Sequence, residues 1–249
     1  MGKLAGKVAL VSGGSKGIGG AIVRAFAAEG ADVAFCHWGD AEGARATVAA
    51  VEALGRRALA MEVDVASSQA CRAFATAAEK SLGPVDILVT NAGINANAPF
   101  ERVSEASFDR MIDVHLRGTF FLAQAVYEGM KARRSGRIIT ISSQLVFKGA
   151  VNLTHYVAAK GAILGFTRAL ALEGAPYGVL VNTIAPGATD TDLLRALSDE
   201  WRAAKVQELP IGRFASPEEI APTAVLLASE DGRYFVGACL SPNGGDVMV

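Results

Sequence analysis

Charge of one sign, paired cysteine and long apolar runs are all scarce in this 249-residue chain. Its 24 Lys and Arg stand against 25 Asp and Glu, and no basic stripe interleaved with aromatics occurs, which argues against a nucleic-acid partner. The three cysteines, Cys36, Cys71 and Cys239, are far apart and form no Cys-x-x-Cys pair. That spacing argues against a disulfide framework and against a zinc site, so no metal is expected, and the thiols read as buried groups in a reducing cytoplasm. Apolar residues make up 51% of the chain, yet no stretch of about 18 residues is free of charge and glycine, so no membrane span is expected. Met1 to Lys7 lacks the apolar run and cleavage site of an export signal, and Gly6 stands where a myristoylation motif requires Ser or Thr. A cytoplasmic enzyme with a small-molecule partner fits these absences.

What is present is alternation. Short runs rich in Val and Ile recur between segments with helical spacing, the pattern of βαβ units around a parallel sheet. Strands are expected near Lys7–Ser12, Asp32–Cys36, Ala58–Val63, Val85–Thr90, Gly136–Ser142, Val179–Ile184 and Ala238–Ser241. Helices are expected at about Gly17–Glu29, Ala41–Leu54, Ser67–Ser81, Ser104–Ala132, Tyr156–Ala175 and Ser216–Ala228. The last opens on Ser216-Pro217-Glu218-Glu219, a capping hydroxyl, a first-turn proline and first-turn acids. No linker or repeat divides the chain, so residues 1–249 form one doubly wound α/β domain with seven parallel strands and helices on both faces. The irregular segment at about 188–214 follows a strand's carboxyl end, where open α/β sheets keep their substrate lids.

Directly after the first strand, Ser12-Gly13-Gly14-Ser15-Lys16-Gly17-Ile18-Gly19 opens a helix. Glycines there let backbone approach a pyrophosphate, which the helix N-terminus attracts. Asp64-Val65 closes the third strand and Asn91-Ala92-Gly93 follows the fourth, each at a carboxyl edge where a dinucleotide would lie. Tyr156 and Lys160 are spaced i, i+4 on one helical face, and a nearby cation favours phenolate, making the tyrosine a usable general acid/base. Ser143, at the end of the fifth strand, offers a hydroxyl to a substrate oxygen.

These motifs jointly resemble the short-chain dehydrogenase/reductase family, in its compact subgroup of about 250 residues, over nearly the whole chain. The resemblance rests on Gly13 to Gly19, Asp64-Val65, Asn91-Ala92-Gly93, Ser143, Tyr156-x-x-x-Lys160, Asn182, Pro186-Gly187 and Gly237 through Gly244-Gly245. It implies a Rossmann fold and hydride transfer between a nicotinamide cofactor and the carbon of an alcohol or carbonyl. It implies that Tyr156 moves the proton, that Ser143 orients the oxygen, and that Lys160 lowers the tyrosine pKa and holds the nicotinamide ribose. It places Pro186, Gly187, Thr189 and Thr191 near the carboxamide, and the assembly is expected to be a homotetramer.

The chain departs from the family pattern at four positions: Ser12, Thr90, Asn243 and His115. The first three leave the chemistry intact. His115 stands where the family has an asparagine that holds a water in the proton relay; an imidazole could serve with a new pH dependence, or merely pack. At the end of the second strand His37 replaces the acid that would grip the adenosine ribose, and Lys16 is placed to meet a 2′-phosphate, so NADP is favoured over NAD, with Asp40 as a reservation. The substrate lining (Asn95, Asn97, Gln144, Asn152, His155) is rich in amides, pointing to a sugar or polyol. The alternative is a 3-oxoacyl thioester reductase, with Arg133, Arg134 and Arg168 available to a carrier. A catalytically silent dinucleotide sensor is a remote third reading.

Overall fold

A computed structural model describes residues 2–248. Seven parallel strands form one sheet: β1 (Val8–Ser12), β2 (Asp32–His37), β3 (Ala58–Glu62), β4 (Ile87–Thr90), β5 (Gly136–Ile141), β6 (Val179–Ile184) and β7 (Cys239–Leu240). Their spatial order is β3-β2-β1-β4-β5-β6-β7. The chain winds outward from β1 in one direction, then returns to β4 and winds in the other, leaving a crevice at the carboxyl ends of β1 and β4.

The strands are apolar almost throughout because both faces are covered. Ala9 and Val11 of β1, Ile87 and Val89 of β4, and Ile139 and Ile141 of β5 belong to one core. The intervening Val8, Leu10, Leu88 and Ile138 belong to the other, as the two-residue period of a strand requires. The first core packs under helices α1 (Gly17–Ala28), α2 (Ala41–Ala53) and, at the far end of the chain, α10 (Pro217–Ala228). The second packs under α3 (Ser68–Leu82), the long helical segment after β4, and α7 (Thr154–Gly174). Ser216 and Glu219 form the capping box expected at the start of α10.

Three departures from the expected elements bear on function. The single helix expected over Ser104–Ala132 is α4 (Glu105–Ile112), a π-helical stretch at Asp113–Arg117, and α5 (Gly118–Arg133). Apolar periodicity cannot register the extra residue that such a bulge accommodates. The catalytic helix begins at Thr154, so Tyr156 lies inside its first turn. Two short helices, α8 (Asp192–Arg195) and α9 (Asp199–Glu208), organise the segment expected to be a lid, and a one-turn helix α6 (Leu145–Lys148) follows β5. Cys36 and Cys71 are buried and Cys239 is half-buried; burial pushes their thiols up, Cys36 to about 12 and Cys71 to about 11.

Candidate active site

At the carboxyl edge of β1 the backbone turns at Gly13, whose φ of +67° favours glycine. A Cβ on Gly19 would collide with the Gly13 carbonyl oxygen and Asn91 Nδ2. The close approach is fixed by a staple between β1 and β4. Ser12 Oγ accepts the N–H groups of Asn91 and Ala92, each at 3.0 Å, while Asn91 Nδ2 donates to the carbonyls of Ser12 and Gly13 at 3.1 and 3.0 Å. Lys16, the residue preceding α1, provides no side-chain cap. The first-turn N–H groups at Gly17, Ile18 and Gly19 are thus left for a ligand anion. The loop and the glycine at Gly93 together form a cradle suited to a dinucleotide pyrophosphate.

Around that cradle the cofactor candidates fall into two groups. Ser15 is buried and its carbonyl accepts the Thr47 hydroxyl at 3.0 Å. His37 ends β2 with a buried Nδ1 that has no protein partner, and just beyond that strand end the Gly39 N–H donates to the Glu62 carboxylate at 3.1 Å. Asp40 is turned back: it caps α2 through Gly43 N–H at 3.2 Å, and the Ser15 hydroxyl foremost holds its carboxyl below the usual range. Asp64 accepts the Ala66 N–H and is gripped through both oxygens by Arg110 Nη1 at 3.1 and 2.9 Å. Its carboxylate is thereby committed within the protein, and the neighbouring Val65 is buried in the second core, against Gly118. Lys16 Nζ lies 2.9 Å from Asp192 at the start of α8, an exposed pair that a 2′-phosphate could exchange for a stronger one. Thr191 packs against Gly17, where a Cβ would come within 3.3 Å of its methyl group. Gly187 passes so close to Asn243 that a Cβ there would lie 2.5 Å from its Cα. Pro186 accepts the Gln144 N–H at 3.1 Å, and the Thr189 hydroxyl bonds the Gly187 carbonyl at 3.0 Å.

Across the crevice Ser143, Tyr156 and Lys160 converge. The Ser143 hydroxyl lies close enough to the Tyr156 phenol to favour its ionised form. Lys160 is buried, donates from Nζ to the Ile141 carbonyl at 2.8 Å, and lies 5.8 Å from the centroid of the Tyr156 ring. The backbone is pinned by the Ser142 hydroxyl, which donates to the Lys160 carbonyl at 2.8 Å. Burial pulls the ammonium down to about 7. Burial also pushes the Tyr156 phenol above its ordinary value, against the opposing pull of Ser143. This reverses the direction expected from the Tyr-x-x-x-Lys spacing alone, because desolvation disfavours both charged forms.

His115 projects from the π-helical stretch into this group. Its ring meets Tyr156 edge-on, with centroids 5.4 Å apart and planes at 89°, and Nε2 lies 2.9 Å from the Ile94 carbonyl. Burial first, and the Lys160 charge second, push it down to about 3. That burial opposes the pH dependence near neutrality expected of an imidazole at this position.

The substrate candidates do not share one wall. Asn95 and Asn152 are exposed, and Asn152, with φ +64°, is tied by its carbonyl to the Ala98 N–H at 3.0 Å. His155 is buried, away from any hydrogen-bond partner in the protein. Gln144 is buried too, but its Nε2 is bonded to the Asp246 carboxylate. Asp246 was not singled out by any sequence motif. It also binds Lys148 of α6 at 2.6 Å and Lys205 of α9 at 2.8 Å, joining the catalytic segment, the lid and the carboxyl-terminal segment.

The sequence over residues 7–202 matches the family described as short chain dehydrogenase. The chain belongs to that family. This dehydrogenase is similar to the 3-oxoacyl-[acyl-carrier-protein] reductase FabG of Vibrio cholerae, 39% identical over 246 residues that cover 99% of each chain. It is equally similar to the acetoacetyl-CoA reductase of Shinella zoogloeoides, 39% identical over 98% of this chain and 99% of the relative. Among solved structures it resembles a metagenomic blue fluorescent protein in complex with NADPH, with a TM-score of 0.93, 39% identity, and coverage of 99% of this chain and 100% of that one. A short chain dehydrogenase from Burkholderia cenocepacia in complex with NADP gives a TM-score of 0.91 at 35% identity, covering 98% and 99%. This dehydrogenase is thus a Rossmann-fold oxidoreductase, and among its described residues no helix is long and apolar enough to cross a membrane.

Proposed function

We propose that this dehydrogenase reduces a 3-oxoacyl thioester to the 3-hydroxyacyl thioester with NADPH. The observation that carries the reaction type is the convergence of Ser143, Tyr156 and Lys160 beside the glycine cradle. The substrate class is supported by full-length similarity to enzymes named for 3-oxoacyl and acetoacetyl thioesters. The amide-rich lining that pointed to a sugar or polyol weakens as an argument, because Gln144 is committed to Asp246 and the asparagines are exposed. Arg133 is committed to the Val85 carbonyl at 2.7 Å and Arg134 to that of Pro176, while Arg168 is exposed and available to an acidic carrier.

NADPH, when bound, supplies the hydride. The α1 N-terminus and the turn at Gly13 would hold the pyrophosphate, the stapled Asn91-Ala92-Gly93 turn and Val65 would line its nucleoside side, and Lys16 would pair with the 2′-phosphate in place of Asp192. Thr189 and Thr191 would bind the carboxamide end from the segment after Pro186-Gly187. Lys160 would hold the nicotinamide ribose. Ser143 hydrogen-bonds the substrate carbonyl oxygen, and Tyr156 donates the proton to that oxygen as its negative charge develops. A phenol kept protonated by burial is suited to this donor role at neutral pH. The segment 188–214 closes over the substrate, and the working form in this reading is a cytoplasmic homotetramer.

NADPH oxidation with an acetoacetyl thioester, a panel of aldoses and polyols, and Tyr156→Phe as the blank tests the proposal. The thioester should be turned over at least 100-fold faster than any sugar, and Tyr156→Phe should abolish turnover while still binding NADPH. Preferred turnover of an aldose would reject the substrate class; unchanged activity in Tyr156→Phe would reject the mechanism.

A further inference from the structure

Among the described residues, neither α6 nor α9 contributes a buried side chain to the core. α6 is a single turn, and α9, at 10 residues, is shorter than the roughly 12–15 at which an isolated helix becomes even marginal in water. Apolar packing therefore does not fix where these two helices sit. A carboxylate does. The Asp246 side chain is 4% exposed, and Lys148 Nζ of α6 and Lys205 Nζ of α9 donate to its Oδ1 at 2.6 and 2.8 Å. Its Oδ2 accepts the amide of Gln144, the residue after Ser143. The Lys205 side chain is 11% exposed and also meets Glu208 at 3.1 Å. Burial opposes both charges, yet their mutual contacts win, holding the Asp246 carboxyl below and the Lys205 ammonium above its ordinary value. The other ion pairs of α9, Arg202 with Asp190 and Asp199, stay within the lid.

The elements around this clamp have supports of their own. Asn243 Nδ2 donates to the Ser241 hydroxyl at 2.9 Å and the Val247 carbonyl at 2.8 Å, and its Oδ1 accepts the Gly245 N–H at 2.9 Å, so the carboxyl-terminal segment is fixed without Asp246. The far end of the lid is tied by backbone, from the Ile211 N–H to the Gly244 carbonyl at 3.2 Å. The Ser143 turn is held by the Gln144 N–H on the Pro186 carbonyl at 3.1 Å and by the Leu145 N–H on the Ser143 hydroxyl at 3.2 Å. The cofactor cradle has the Ser12–Asn91 staple. We infer that Asp246 is a positioning residue for substrate binding, which clamps lid helix α9 to α6 beside the catalytic serine and keeps the lid in its binding-competent place. The inference rests on the proposed closing of segment 188–214 over the substrate. A lid that spends less time in place lowers the apparent affinity in proportion to the lost population, and leaves turnover of the bound complex alone.

Two measurements on the full chain test it. In hydrogen–deuterium exchange with NADPH present, residues 145–148 and 199–208 should exchange about ten-fold faster in Asp246→Ala than in wild type, with α1 unchanged. In steady-state kinetics the substrate is the acetoacetyl thioester, or whichever aldose or polyol the wild type prefers. Asp246→Ala should raise the KM for that substrate about ten-fold, keep kcat within about three-fold and leave the NADPH KM unchanged. Asp246→Asn keeps the size and one acceptor oxygen but loses the charge; it should raise the substrate KM about three-fold, and it carries the comparison if the alanine variant does not fold. Unchanged exchange in α9 would overturn the inference. So would faster exchange with an unchanged substrate KM, and so would a parallel loss of kcat and NADPH binding, which is what a merely structural role predicts. A wild type that turns over an aldose in preference to the thioester would refute the proposed substrate class, and the same KM comparison on that aldose would still decide the role of Asp246.

Discussion

Replacing Lys160 by methionine should make the protein more stable at neutral pH. Lys160 is 5% exposed and its ammonium is pulled down to about 7 by burial, against about 10.4 for a free lysine. Between those values the unfolded chain holds a proton that the folded chain has released, so stability rises with pH across that window. Integrated over the shift, the buried amine costs the fold about 4 kcal/mol at pH 7 and under about 1 kcal/mol at pH 10.5. Methionine removes that cost but leaves the Ile141 carbonyl without its 2.8 Å donor, which takes back about 1–3 kcal/mol. The net gain of about 1–3 kcal/mol at pH 7 corresponds to roughly 2–12 °C in Tm for a domain of this size. Thermal unfolding of both proteins at pH 7, 8.5 and 10, followed by circular dichroism, measures it. Titrations common to the two proteins cancel in the difference. A variant less stable than wild type at pH 7, or an advantage that fails to decline toward pH 10, would refute the reasoning. Activity should be lost in the variant at every pH, so stability and function are opposed at this residue.

Two further outcomes concern the cofactor cradle. Gly19→Ala should abolish NADPH binding measured by fluorescence titration, because the added methyl group collides with the Gly13 carbonyl and Asn91 Nδ2, and these are backbone and a stapled amide that have little room to shift. Ser12→Ala should lower the urea midpoint by the equivalent of about 1–3 kcal/mol, since two half-buried N–H groups, those of Asn91 and Ala92, lose their acceptor. Ser12→Thr keeps that oxygen and should behave like wild type. Equal destabilisation by both Ser12 substitutions would show that packing, rather than the staple, matters there.

How far the sequence reveals the molecule depends on the range of the interaction. The sheet is readable because each strand is a short apolar run with both faces buried, and the only errors are at strand ends, such as β7, which shrinks to Cys239–Leu240. Tyr156 and Lys160 are readable because the helix itself brings i and i+4 together. The direction of their pKa shifts is not, because it depends on burial by the rest of the fold. Lys16 is where the glycine loop places it, yet its partner Asp192 lies on a helix the sequence described only as lid. The π-helical stretch leaves no periodic trace, although His115 as a departure from the family pattern marks the spot.

The hub at Asp246 also sets an order of events. The cradle closes between β1 and β4, through contacts spanning 78 to 80 positions, while Asp246 reaches Gln144, Lys148 and Lys205 across 102, 98 and 41 positions. All of these spans carry a comparable loop-closure cost, which grows only as the logarithm of length. They differ in what must already exist, because the hub needs α6, α9 and the carboxyl-terminal segment in place at once. During synthesis the nucleotide half of the site has all its parts long before residue 246 emerges, and the substrate half is assembled last.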